Sequence, residues 1–311
     1  MTATSPSTGT YRQTLTPFGG RRATIVAVAS ALAGALLAFL WSFELVDHVI
    51  GNNVANSVLG EDATQTALVG SLTGAVFAFV SGLAGTFTAC NIAVFAALPE
   101  IGEQTAGRRQ RFLAVLRPMA WMAFGLVAVA AVYGFVAVLI GPGLPQLSTG
   151  TVGAGMPVRL LQASVVFGVI GLAFTYLGLA ALGLLPDPFR HRPRARLFLL
   201  GALVGGFLIG RPYPLFRKLL AHAVEADDPL YGAATMVLQS LGNVVVMLLI
   251  AVVLVLATGG RFTRWVSRPG RAATLAGAAL VLLGIFLVVY WDLRLPARFG
   301  YGWFPTAPWN S

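Results

Sequence analysis

Residues 80–101 read VSGLAGTFTACNIAVFAALPEI. The stretch is apolar, yet Gly85, Thr86, Thr88 and Asn91 interrupt its middle, and it holds the only cysteine of the chain, Cys90. A second interrupted apolar stretch, GGFLIGRPYPLFRKLL, occupies residues 205–220. There Pro212 and Pro214 remove backbone donors and disrupt a helix. In hydrocarbon the freed N–H and C=O groups find no water, so such breaks persist only where protein or a water-filled cavity covers them. Two of them in one chain predict the corresponding centres of two half-domains inside a membrane.

Composition points to the same class. The chain is 57% hydrophobic and 10% charged, where soluble domains carry about 25% charged residues. Several apolar runs exceed the roughly 18 residues that mark a spanning helix, and no polar segment is long enough to form a separate soluble module. The net charge of +10 does not imply nucleic acid, because 15 of the 21 basic residues fall in segments 1–22, 100–117, 186–196 and 258–271. These are short and border apolar runs, as the positive-inside rule requires. One cysteine excludes an intramolecular disulfide and a CxxC motif. His48, His191 and His222 form no HExxH pair. Neither a metal nor a cofactor is expected.

In order, the chain predicts a disordered cytoplasmic tail (1–22) and an anchor helix (23–43), with a cleaved signal peptide as its alternative. An acidic outer loop follows, holding a short interfacial helix at 46–59. Then come a long broken span (66–99), spans at 118–140 and 158–185, a second broken span (197–224), and spans at 230–257 and 272–291. The tail 293–311, with Tyr301, Trp303, Phe304 and Trp309, reads as an aromatic anchor at the outer interface or as a partner-binding tail. The fold class is an all-α polytopic membrane protein of seven transmembrane helices. It comprises an N-terminal anchor and a 3+3 inverted repeat in which the first helix of each half is broken. The protein is placed in the plasma membrane, N-terminus cytoplasmic and C-terminus extracytoplasmic.

Residues 66–292 resemble the DsbD/CcdA transmembrane family, whose first motif is similar to G-L-x-S-F-L-S-P-C. Here residues 82–90 read G-L-A-G-T-F-T-A-C with the same glycine-to-cysteine spacing, and Ala89 stands where the family has proline. The second family motif resembles G-W-T-P-C-x-G-P. Here the run is Gly210-Arg211-Pro212-Tyr213-Pro214-Leu215-Phe216, with Tyr213 or Pro214 in place of the cysteine. Ser240-Leu241-Gly242-Asn243 resembles a serine-leucine-glycine turn of the family's fifth span. The resemblance implies passage of reducing equivalents to thiols outside the membrane, for disulfide reduction or cytochrome c biogenesis. The partners it implies are a thioredoxin-like or extracytoplasmic thiol protein. A relay of that kind needs two thiols, and this chain has one.

The candidate catalytic residue is therefore Cys90, with burial as a small apolar side chain as its plain alternative. Arg211 lies midway along its predicted span, where an arginine costs about 2.5–3.5 kcal/mol and must face the interior. It reads as an anion, carboxylate or thiolate site, or as a cap on carbonyls freed by the break. Tyr213, Asn91 and Thr88 are candidate substrate-binding partners, and Gly85, Gly210, Pro212 and Pro214 form the structural breaks. Gln239 and Asn243 line the centre or bond neighbouring helices. Three functions follow: thiol redox through Cys90, transport of a small anionic solute past Arg211, and a non-catalytic assembly subunit.

Overall fold

The computed structural model describes residues 20–42, 53, 56–57, 68, 70–84, 108–257, 270–305 and 307. They are mostly helical: α1 Gly20–Leu40, α2 Ser71–Ala84, α3 Arg108–Ile140, α4 Val158–Ala181, α5 Pro193–Gly210, α6 Pro214–Glu225, α7 Pro229–Ala257 and α8 Arg271–Val288. A π-helical turn, Val289–Arg294, and a short α9, Leu295–Ala297, extend α8. Among the described residues, five stretches are long and apolar enough to cross a membrane: Gly20–Leu40, Met119–Gly143, Val158–Ala181, Pro193–Gly210 and Arg271–Ala297. The 29 residues of α7 add a helix of about 43 Å at 1.5 Å per residue. The expected interfacial helix at 46–59 and the expected first break lie largely or wholly outside the described residues.

Several helix ends differ from the sequence expectation. Helix α1 starts at Gly20 rather than 23, and α3 at Arg108 rather than 118. Apolar length marks the part of a helix that sits in hydrocarbon, and arginines are good helix formers that continue the helix beyond it. The last helix runs past the expected end at Trp291 because tertiary partners hold the extension. Arg294 Nη1 donates to the carbonyls of Ala38 (2.5 Å) and Trp41 (2.7 Å), closing the C-terminal end of α1. Ser164 of α4 donates to Trp291 O (2.8 Å) and Asp292 Oδ1 (3.0 Å).

Packed neighbours form one series: α1 against α8, α8 against α4, α4 against α5, α5 against α3, α3 against α7, and α7 against α2. Contacts set their relative directions. Tyr231 Oη donates to Ser71 O, and Gly82 meets Gln239, so α2 and α7 run parallel. Gly201 meets Met122 and Gly205 meets Leu126, so α5 and α3 run parallel. Gly134 meets Met236 while Gly232 meets Val138, so α3 and α7 are antiparallel. The same holds for α4 with α8, and for α4 with α5, where Phe167 meets Gly210 and Ile170 meets Gly206.

Glycines make these crossings close, as small residues do where lipid supplies no hydrophobic drive. Two crossings follow one pattern. In α2/α7, a Cβ on Gly82 would strike the carbonyl of Gln239, and one on Gly242 that of Phe79. In α5/α3, a Cβ on Gly201 would strike the carbonyl of Met122, and one on Gly125 that of Phe198. The α4/α8 contact is symmetric in itself. A Cβ on Gly171 would lie 2.8 Å from Gly284 O, and one on Gly178 2.8 Å from Gly277 O, with the reciprocal contacts at 2.5 and 2.9 Å.

The outward faces are apolar: Ile25, Leu32 and Leu36 on α1, Phe124, Val132 and Leu139 on α3, and Val165, Val169 and Leu172 on α4 are exposed. Patches this large on several helices suit lipid rather than water. Between α3 and α4 the chain forms a small hairpin, Thr151–Val152 with Met156–Pro157. Tyr301 docks onto it, its Oη accepting from Ala154 N at 2.6 Å, while Trp303 stays 84% exposed.

Candidate functional site at the broken helix

Helix α5 ends at Gly210 and α6 begins at Pro214. The reason is local. A residue before proline is pushed out of the α region, and two such dipeptides follow one another. Arg211 adopts φ −75°, ψ 111°, and Tyr213 φ −62°, ψ 132°, both extended. Pro214 then suits the first turn of α6, where its missing N–H is not needed. Gly210 admits Phe167, whose ring would lie 3.0 Å from a Cβ there.

The last carbonyls of a helix need outside partners. Two glutamines supply them. Gln146 Nε2 donates to Leu208 O (2.9 Å) and to Arg211 O (2.8 Å). Its Oε1 accepts the hydroxyl of Tyr133. Gln162 Nε2 donates to Ile209 O at 2.7 Å. Gln146 is fully buried, although it comes from the loop after α3 that reads from sequence as an uncharged outer connection. Gln162 and Tyr133 were equally invisible as site residues, although each is a polar group inside an apolar run.

Cationic side chains gather at the break. The Arg211 guanidinium stands 5.7 Å from the centroid of the Tyr213 ring. Arg217 Nη2 donates to Leu147 O at 3.3 Å, and Lys218 Nζ lies 5.3 Å from the Phe77 ring of α2. Arg217 and Lys218 thus contact protein groups. Tyr213 is buried in one cluster with Phe77, Ala78 and Val80 of α2, Leu208 of α5, Leu215, Phe216, Leu219 and Leu220 of α6, and Met236 of α7. Helix α6, which follows the second break, packs against α2.

Cys90, Asn91, Thr88 and Gly85 lie outside the described residues. Gln239 and Ser240 are fully buried near the α2/α7 crossing, with Asn243 one turn on. Among the described residues no group of His, Cys, Asp or Glu side chains is arranged to hold a metal.

Asp292, near the end of the last span, is half-buried beside α4. Its carboxylate rests on Gly168 of α4, where a Cβ would lie 2.5 Å from Oδ2.

A bundle of long apolar helices with lipid-suited outer faces and a protein-covered helix break is a multi-pass membrane protein. No protein-family model, no curated protein and no solved structure matches the chain.

Proposed function

We propose that the chain forms seven spans: the anchor α1 followed by two inverted three-helix halves whose broken helices meet at a central site. Its function is thiol redox handling through Cys90, in the manner of the DsbD/CcdA proteins it resembles. One observation carries the reading: Tyr213, at the second break, shares a buried cluster with the α2 residues that lead into the Cys90 stretch. The helix directions support it. Helices α2, α3 and α4 alternate in the opposite sense to α5, α7 and α8, which is what inversion requires, and the matched glycine crossings supply the same contacts in both halves.

The chemistry balances with partner thiols. The Cys90 thiolate attacks a partner disulfide, whose S–S bond breaks and releases one partner thiolate. A dithiol protein of the thioredoxin-like class then attacks the Cys90 sulfur, freeing the second partner thiol. The donor's other thiol resolves the new mixed disulfide, restoring Cys90 and leaving the donor oxidised. Two electrons pass from donor to partner, so no second cysteine is needed in this chain. The test is acid quenching of intact membranes, alkylation with a mass-tagged maleimide, and non-reducing gels of wild type and Cys90→Ser. A Cys90-dependent adduct that disappears on reduction is expected. A Cys90 that remains a free thiol under oxidising and reducing conditions alike refutes this chemistry.

A second reading, transport of a small anionic solute, is supported by the Arg211 guanidinium at the break beside Tyr213, because its planar fork suits a carboxylate. Under this reading Arg211→Lys abolishes function and Cys90→Ser spares it; under thiol exchange the order reverses.

A further inference from the structure

The two matched crossings have the same backbone contacts and opposite chemistry. Around Gly201 and Gly125 the flanking positions are Leu200, Met122, Ala123 and Leu126, all apolar. At the corresponding places around Gly82 and Gly242 stand Ser81, Gln239, Ser240 and Asn243. Close helix packing thus does not demand polar side chains here, since its counterpart is built without them.

Ser81, Gln239 and Ser240 are each only 1% exposed. Among the described residues, Ser81 Oγ, Ser240 Oγ, and both Oε1 and Nε2 of Gln239 have no hydrogen-bond partner. Buried polar atoms are satisfied in the great majority of cases, so four orphans on two adjacent helices point to an occupant. Ser81 and Gln239 each lie ten residues beyond the first residue of their helix. At 1.5 Å per residue that is about 15 Å, half of a hydrocarbon core about 30 Å thick. Measured from those helix starts, this matches the midplane depth at which inverted-repeat proteins bind solutes.

We propose that Ser81, Gln239 and Ser240 form a binding site for a small uncharged solute that enters with water. The solute presents a hydrogen-bond donor and acceptor side by side, as a carboxamide does. The amide of Gln239 offers one acceptor and one donor in a plane, and the two hydroxyls each do both. None of the three carries a charge. The proposal rests on the inverted-repeat reading for its comparison of crossings, but not on thiol chemistry.

The probe is iodoacetamide, itself a small carboxamide, applied to membranes carrying Cys90→Ser with either Ser81→Cys or Leu200→Cys. These two positions correspond, and both are buried. Ser81→Cys is expected to be alkylated at least about tenfold faster, and added acetamide to slow it; adding Gln239→Met, the residue type of the other crossing, should remove most of the advantage. Equal rates overturn the proposal, and fast labelling that acetamide leaves unchanged reduces the site to water alone and overturns the solute assignment. Should the cysteine variants fail to fold, Gln239→Met alone decides. A lowered thermal midpoint supports an occupied site, and a raised one means a dry orphan amide and refutes it. A failed Cys90 trap leaves this site standing, and failed labelling leaves the Cys90 reading standing.

Discussion

Replacing Gln146 with leucine should unseat the broken helix more than any other single change in the loop after α3. The glutamine side chain donates to Leu208 O and Arg211 O and accepts from the Tyr133 hydroxyl. Each such bond contributes about 1 kcal/mol net, and a buried group left unpaired costs about 1–3 kcal/mol. Leucine keeps much of the volume but offers no polar atom. Leu208 O retains a weak partner in Arg211 N at 3.4 Å, so the main losses fall on Arg211 O and the Tyr133 hydroxyl. The expected destabilisation is about 3–5 kcal/mol. The assay is SDS titration of the purified protein in mixed micelles, followed by tryptophan fluorescence. A double-mutant cycle with Tyr133→Phe isolates one contact. Tyr133→Phe alone should cost about 1–2 kcal/mol, whereas in the Gln146→Leu background it should be neutral or recover up to about 1–3 kcal/mol, because it removes a hydroxyl that has already lost its partner. A Gln146→Leu protein within about 0.5 kcal/mol of wild type, or strict additivity in the cycle, would show that the break is held by something else.

Two further outcomes follow from the packing. Gly284→Ala should destabilise the bundle by about 1–3 kcal/mol, because the new Cβ meets Gly171 O and the Thr175 backbone and hydroxyl. Gly206→Ala meets only the flexible end of Ile170 at 3.2 Å and should be neutral or stabilising by up to about 1 kcal/mol from helix propensity; the same titration reads both, and equal effects would argue against a tight α4/α8 contact. Arg294→Gln loses the charged character of two bonds to the end of α1, each worth about 1.5–3 kcal/mol. Limited proteolysis between α1 and α2 should then run faster, and an unchanged rate would place the anchoring of α1 elsewhere.

The residues missed from sequence share a cause. Gln146 bonds partners 62 and 65 positions away, and Arg294 reaches partners 256 and 253 positions away. No local pattern reports such pairings. The matched crossings left a trace, F-x-x-G in both α2 and α5 and M-x-x-x-x-x-G in both α3 and α7. Motifs that short recur by chance in any glycine-rich apolar chain, and only the repeated contact gives them meaning.

Membrane class, the approximate positions of five spans and the break after Gly210 were set by the sequence alone. Transfer into lipid is a sum over consecutive side chains, and two successive X-Pro dipeptides force extended backbone whatever surrounds them. The tertiary structure decided which polar groups close the break, that Tyr213 joins one buried cluster with α2 residues, that Arg294 turns into the bundle, and that one of two matched crossings is polar. Those outcomes depend on which helices become neighbours. A hydrogen bond needs its partner at about 3 Å, and the side chains that close the break and hold the end of α1, Gln146, Gln162 and Arg294, find theirs across the bundle rather than along one helix.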